Sequence, residues 1–198
     1  MNMKQSNTLG VVLSGGAGSR LDGVDKGLQW YEGRRLVEHV IHALNSQTNH
    51  ILICANRNID AYQALGFTVV EDHNQGRFEG PLAGISSAVD VINNNEHLDH
   101  IQQLLIAPCD APALPKDYYQ RLSAANSNVA VVHDGHRKQN LHCLINRQQW
   151  ASLQAFYTDG GRAIHRWFKQ VNAVEVDFSD KTSCFKNINT PDDLLVTE

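Results

Sequence analysis

Residues 9–13, Leu-Gly-Val-Val-Leu, form a short apolar run that opens directly into a glycine-rich loop, and this junction constrains the chain most. A run of that length bounded by glycines reads as a buried first strand. Gly15, Gly16, Gly18 and Gly23 let the loop turn sharply and approach a ligand closely. Arg20 and Lys26 add two cations in the same stretch. A strand that feeds such a loop is a way to hold phosphates on backbone N–H groups.

Two common phosphate loops do not fit. The P-loop requires G-x-x-x-x-G-K-[ST], and no glycine here precedes Lys and then Ser or Thr. The dinucleotide fingerprint requires a third glycine where Leu21 stands. What remains is L-S-G-G-x-x-x-R-L-x-x-x-D-K, a loop suited to a nucleotide or, failing that, a surface turn of small residues.

Beyond the loop, apolar strands and amphipathic helices alternate. Strands are expected over residues 9–13, 50–55, 67–71, 101–107, 129–133, 141–145 and 173–178. Helices are expected at 36–44, 59–65, 81–92, 115–122 and 150–156, with Pro81 in a first turn. This order predicts a three-layer α/β fold, Rossmann-like, with a mostly parallel sheet covered on both faces. At 198 residues one domain is expected. Residues 9–115 would form its nucleotide part and 116–198 its second-substrate part, with 1–8 a flexible lead-in.

The apolar share of 42% and charged share of 19% suit a globular protein. A net charge of -4 without a basic run argues against nucleic acid as a partner. No apolar run reaches the ~20 residues of a membrane helix, and residues 1–8 lack a signal core. The four cysteines form no C-x-x-C pair, so free thiols in a reducing cytoplasm are expected.

In parallel sheets, ligands bind beyond the carboxyl ends of the strands. The residues there are 14–26, Asn56, Arg57, Asp72, Asp110 and 187–190. Asp110 closes a buried strand before a proline-stiffened turn; it reads as a ligand for a divalent cation or as a turn residue. Lys26 is a point charge suited to a triphosphate, or a solvated lysine paired with Asp25. Asp72 reads equally as a ribose or base acceptor and as a strand end. Gly80 is a wall against a ligand or simply a helix start. Asn187 and Asn189 flank Ile188 and would share one face of a short strand. Thr190 reads as an N-cap, with Pro191 in the first helical position. His133, His136 and His142 have no cysteine pair or H-E-x-x-H motif beside them, so a zinc site is not expected. Ser14 is in no G-x-S-x-G elbow, which argues against a serine hydrolase.

Taken together, L-S-G-G-x-x-x-R-L-x-G-x-D-K-G at residues 13–27, A-N-R at 55–57, G-P-L-A-G at 80–84, P-C-D-A-P at 108–112, D-F-S-D at 177–180 and N-I-N-T-P at 187–191 resemble one family. It is that of the MobA-type molybdenum cofactor guanylyltransferases, and the likeness runs over nearly the whole chain. The resemblance implies a GT-A-type nucleotidyltransferase fold. It implies transfer of GMP from GTP to molybdenum-bearing molybdopterin, with release of pyrophosphate. By position, Leu13, Ser14, Gly15, Lys26, Asp72 and Asp110 would bind GTP, and Asp110 would also bind Mg²⁺. Lys26 and Asp110 would be the catalytic pair. Arg20, Gly23, Gly80, Arg162, Asn187 and Asn189 would line the molybdopterin side. The resemblance further implies a cytoplasmic monomer that meets other cofactor-biosynthesis proteins or molybdoenzyme apoproteins. One departure is Cys54, where relatives often carry asparagine; a thiol is a weak hydrogen-bonder. Two alternatives stay open on the residues themselves. One is a cytidylyl- or sugar-phosphate nucleotidyltransferase built on the same loop. The other is a nucleotide-binding regulator without transferase activity.

Overall fold

The computed structural model describes residues 5–15, 24–71 and 80–194. The elements run β1 (Gln5–Leu13), a 3₁₀ turn (Lys26–Leu28), β2 (Trp30–Tyr31), β3 (Arg34–Arg35), α1 (Leu36–Asn45) and β4 (Thr48–Cys54). They continue through α2 (Ile59–Gln63), β5 (Thr68–Val70), α3 (Pro81–Asn93), β6 (Gln103–Pro108) and α4 (Tyr118–Ala124). The chain closes with β7 (Val129–His133), β8 (Lys138–Asn146), α5 (Trp150–Thr158), α6 (Ile164–Gln170), β9 (Val174–Asp177), a 3₁₀ segment (Ser179–Phe185) and α7 (Pro191–Leu194).

Among the described residues the main sheet has the order β5-β4-β1-β6-β8-β7-β9. Its strands run one way except β8, which is antiparallel to both β6 and β7. The sheet is mostly parallel, as the alternation of strands and helices predicts. Successive residues along a strand feed opposite faces. Val11, Leu104 and Ile106 meet Leu82, Ile85 and Val89 of α3, with Trp150 of α5 and Trp167 of α6. Val12, Leu105 and Ala107 meet Val37, Val40 and Leu44 of α1, with Tyr62 of α2 and Tyr118 of α4. Both faces are covered, so ligands have access at the ends of the strands. None of the helices is long and apolar enough to cross a membrane, among the described residues.

The structure departs from the sequence expectations in several places. Strand β1 begins at Gln5, which pairs with Thr48. Thr8 is fully buried and donates to Gln103 Oε1 at 3.1 Å, so residues 5–8 extend β1 into the stretch expected as a lead-in, of which 1–4 lie outside the described residues. The polar side chains of residues 5–8 hide the strand from apolar patterning. Helix α4 begins three residues later than Pro115, because the Pro115 carbonyl closes a turn onto Tyr118 N at 3.1 Å. Residues 187–189 form no strand: Ile188 N makes a single ladder-like bond, to Asp110 O at 2.8 Å. Helix α6 was not expected, although Ile164, Trp167 and Phe168 stand at helical spacing and are all buried.

Candidate functional site

Strands β1 and β6 are parallel neighbours in register, with Leu13 opposite Pro108. Past that last pair, Cys109 N donates to Leu13 O at 3.0 Å, and Ser14 N donates to Cys54 O at 2.8 Å. The start of the glycine loop is therefore wedged between the ends of β4 and β6. A Cβ on Gly15 would stand 3.2 Å from Asn56 Nδ2, so the loop leaves β1 hard against the end of β4. The rest of the loop, with Arg20 and Gly23, lies outside the described residues, and so does Asp72.

Lys26 and Asp110 meet at this edge. Lys26 Nζ donates to Asp110 Oδ2 at 2.7 Å and to Asn189 Oδ1 at 2.8 Å. The lysine and aspartate side chains are 21% and 17% exposed, which leaves them reachable from solvent. The other carboxylate oxygen, Asp110 Oδ1, is buried and has no hydrogen-bond partner among the described residues. Asn187 Oδ1 is in the same condition. A buried acceptor without a donor is costly unless something fills its place.

Asn189 is fixed by the last helix. Asp193 Oδ2 accepts from Asn189 N and Thr190 N, both at 3.0 Å, and from Thr190 Oγ1 at 2.9 Å. Thr190 Oγ1 accepts from Asp193 N at 3.2 Å, which completes a reciprocal cap. The hydrogen bonds from Asn189 and Thr190 hold the Asp193 carboxyl down at about 2. The cap thus sets the turn that presents Asn189 to Lys26.

The orphaned Asp110 Oδ1 is the observation that bears on a metal. A buried carboxylate oxygen left without a donor at the carboxyl edge of the sheet fits Mg²⁺, which takes one or two carboxylates and fills its shell with waters and phosphate oxygens. No group of three or more His, Cys, Asp or Glu side chains able to hold a metal occurs among the described residues. A cage made wholly of such protein ligands is therefore not formed by them.

The alternative in which Lys26 is a solvated lysine paired with Asp25 is not what the structure shows. The Asp25 carboxylate is buried, and its partners are Tyr62 and Asn58. Asp25 has extended backbone while Lys26 opens the 3₁₀ turn, and the two side chains serve different elements. The sequence carried no sign of Tyr62, since a tyrosine in a five-residue helix reads as ordinary core. Beside this cluster sits Cys109, whose thiol burial and the adjoining Asp110 push up to about 12. It is a neutral, packed thiol.

Gly80 and Arg162 also come together, at the start of α3. Gly80 has φ +83° and ψ -179°, a conformation open essentially to glycine alone. A Cβ added there would point at Arg162 O from 3.8 Å. Arg162 Nη1 donates to Tyr157 O at 2.8 Å and Gly161 O at 3.0 Å, and its guanidinium lies 4.4 Å over the Tyr157 ring. Cys54 Sγ donates to Gly84 O at 3.2 Å, which ties the first turn of α3 to the carboxyl end of β4. The departure at residue 54 therefore serves as a strut for this helix.

The histidines singled out in the sequence have local roles. His133 Nδ1 accepts from Gly135 N at 3.2 Å in the turn between β7 and β8. His142 is buried, with its ring edge-on to Phe185 at 5.1 Å. Burial drives its pKa down to about 3, so the ring is neutral.

Comparison with known proteins agrees with this architecture. A family model described as the MobA-like NTP transferase domain matches residues 10–174. A molybdenum cofactor guanylyltransferase from Photobacterium profundum is 40% identical over 93% of this chain and 92% of its own length. One from Shewanella piezotolerans is 38% identical over 92% of this chain and 87% of its own. Among solved structures, the molybdopterin-guanine dinucleotide biosynthesis protein A from Archaeoglobus fulgidus superposes with a TM-score of 0.72. That match covers 94% of both chains at 22% identity.

Proposed function

The chain belongs to the MobA-like NTP transferase family, and from that premise we propose that it transfers GMP from GTP to molybdenum-bearing molybdopterin. An acceptor phosphate oxygen attacks the α-phosphorus of GTP. The bond from that phosphorus to the bridging oxygen breaks, and pyrophosphate leaves with the bond's electron pair. The product is the guanine dinucleotide form of the cofactor. The observation that carries this reading is the cluster of Lys26, Asp110 and Asn189 where β1 and β6 end side by side.

The residues act by binding and alignment, because a phosphoryl-type transfer needs charge held in place more than covalent help. Leu13, Ser14 and Gly15 offer backbone along the triphosphate. Lys26 exchanges its bond to Asp110 for phosphate oxygens while Asn189 keeps its ammonium oriented. Asp110 Oδ1 is the atom that would hold Mg²⁺. When bound, that ion supplies neutralisation of charge on the α-phosphate and the departing pyrophosphate. Arg20, Gly23 and Asp72 join the same reading from outside the described residues, the first two toward the pterin and Asp72 toward guanosine. Gly80, Arg162, Asn187 and Asn189 complete the pterin side. A cytoplasmic monomer that meets cofactor-biosynthesis proteins and molybdoenzyme apoproteins follows from the same resemblance.

The test is pyrophosphate release by the purified protein with Mg²⁺, molybdenum-loaded molybdopterin and GTP, in competition with CTP and UTP. Release with GTP preferred is the expected result. Preference for CTP or UTP would move the assignment to another nucleotidyltransferase. Tight nucleotide binding without release from any acceptor would make the protein a nucleotide-binding regulator.

A further inference from the structure

Lys26 is gripped from two sides, and the two grips differ in kind. Its ammonium reaches Asp110 and Asn189. A triphosphate must exchange with the Asp110 contact, and Asn189 orients only the tip of the side chain, so neither contact holds the turn itself while the nucleotide binds. The other grip lies behind the turn. The Asp25 side chain is only 5% exposed. Its Oδ1 accepts from the Tyr62 hydroxyl at 2.7 Å, and its Oδ2 accepts from Asn58 Nδ2 at 3.0 Å. Arg57 Nε stands 3.6 Å from the same Oδ2, and Arg57 Nη2 donates to Val24 O at 3.0 Å.

Tyr62 touches both flanks of Lys26. Its hydroxyl bonds Asp25 on one side, and on the other it occupies the space beside Gly27, where an added Cβ would come within 2.5 Å of it. Tyr62 is fully buried, and burial together with Cys109 and Asp25 pushes its phenol far above the usual range, so it stays a donor. Asn58 has φ +51°, the left-handed conformation that starts α2 and aims its amide at Asp25. Residues 24, 25 and 27 are thus each met by the segment that follows β4.

We propose that Asp25 and Tyr62 are positioning residues for nucleotide binding, forming a fixed mount that holds the Lys26 turn while its ammonium changes partners. Gly27 leaves the room that the mount needs. The inference rests on the reading that Lys26 binds GTP phosphates. A mount of this kind lowers the cost of binding by ordering the lysine in advance.

The experiment is an equilibrium titration of GTP with Mg²⁺ into the wild type, Tyr62→Phe, Lys26→Ala and the double variant, with pyrophosphate release measured in parallel. Tyr62→Phe removes one hydroxyl and keeps the ring. It should weaken GTP about five- to tenfold, leave KM for the molybdopterin acceptor unchanged, and cost nothing further once Lys26 is alanine. Asn58→Gly keeps the left-handed backbone, loses one donor to Asp25, and should show the same pattern more weakly. It serves as the second variant if Tyr62→Phe does not fold. Equal losses with and without Lys26 would overturn the mount, as would unchanged GTP affinity with a lowered melting temperature. Wild-type protein that binds GTP but releases no pyrophosphate would overturn the transfer reading alone, since the affinity cycle still judges the mount.

Discussion

The two ends of the candidate site are built in opposite ways. At the Lys26 end, charged and amide side chains from distant parts of the chain interlock, and one buried carboxylate oxygen has no partner among the described residues. At the Gly80 end, the surface is backbone: a glycine at φ +83° faces the Arg162 carbonyl, and the arginine is occupied in holding its own loop. The first is suited to holding charge that develops during a reaction. The second is suited to fitting a shape. The difference teaches that, on the proposed function, electrostatic and steric recognition are separable, and substitutions at the two ends should change different kinetic constants.

The sharpest break in the comparison comes from the charged end. Asp110→Ala should cut the rate of pyrophosphate release about a thousandfold, and Lys26→Ala about a hundredfold, as loss of preorganised electrostatic groups does elsewhere. The protein should remain folded, because the Asp110 carbonyl that accepts from Ile188 N belongs to the backbone. Steady-state assays beside a melting curve check both points. Next in size, Gly80→Ala forces a side chain into a conformation it avoids, at a cost of about 1–3 kcal/mol. It should raise KM for the molybdopterin acceptor and leave KM for GTP nearly unchanged.

Asn189→Ala removes one partner of the Lys26 ammonium and should lower kcat/KM for GTP about tenfold. The smallest effect lies away from both ends. Burial holds the His142 pKa at about 3, so the unfolded chain takes up a proton there that the native protein refuses. Stability from this residue is complete above the ordinary histidine value and is lost as pH falls below it. Between pH ~6.5 and ~5.5 it should fall by about 1 kcal/mol. Denaturant unfolding across that range should show the loss, and His142→Leu should flatten it.

The fold was legible because its signal is local. Apolar strands such as Val11–Val12 and Leu104–Ile106 alternate with helix faces such as Val37, Val40 and Leu44, and that order leaves few topologies. What hid were polar contributions to the sheet, with Thr8 fully buried through a side-chain partner ninety-five positions away. The turn at Asp134 and Gly135 marks β7 and β8 as a hairpin, but the pairing of β8 with β6, which places an antiparallel strand inside the sheet, is set at long range and was hidden.

The charged end of the site was readable for a related reason. Lys26 and Asp110 each follow a strand, and parallel strands bring such positions to one edge. The role of Asp25 was not readable, because its neighbour Lys26 offered a simpler partner and nothing marks Tyr62 as more than core. Asn187 and Asn189 were singled out for a strand geometry they do not adopt. Asn189 reaches the edge through the cap made by Thr190 and Asp193.

A double-variant cycle on pyrophosphate release most directly tests whether the loop after β1 and the acid after β6 act on one triphosphate. If they do, Lys26→Ala and Asp110→Ala should be strongly non-additive, the double variant losing little more than Asp110→Ala alone. Losses that multiply, or a folded Asp110→Ala protein that releases pyrophosphate at the wild-type rate, would contradict the account.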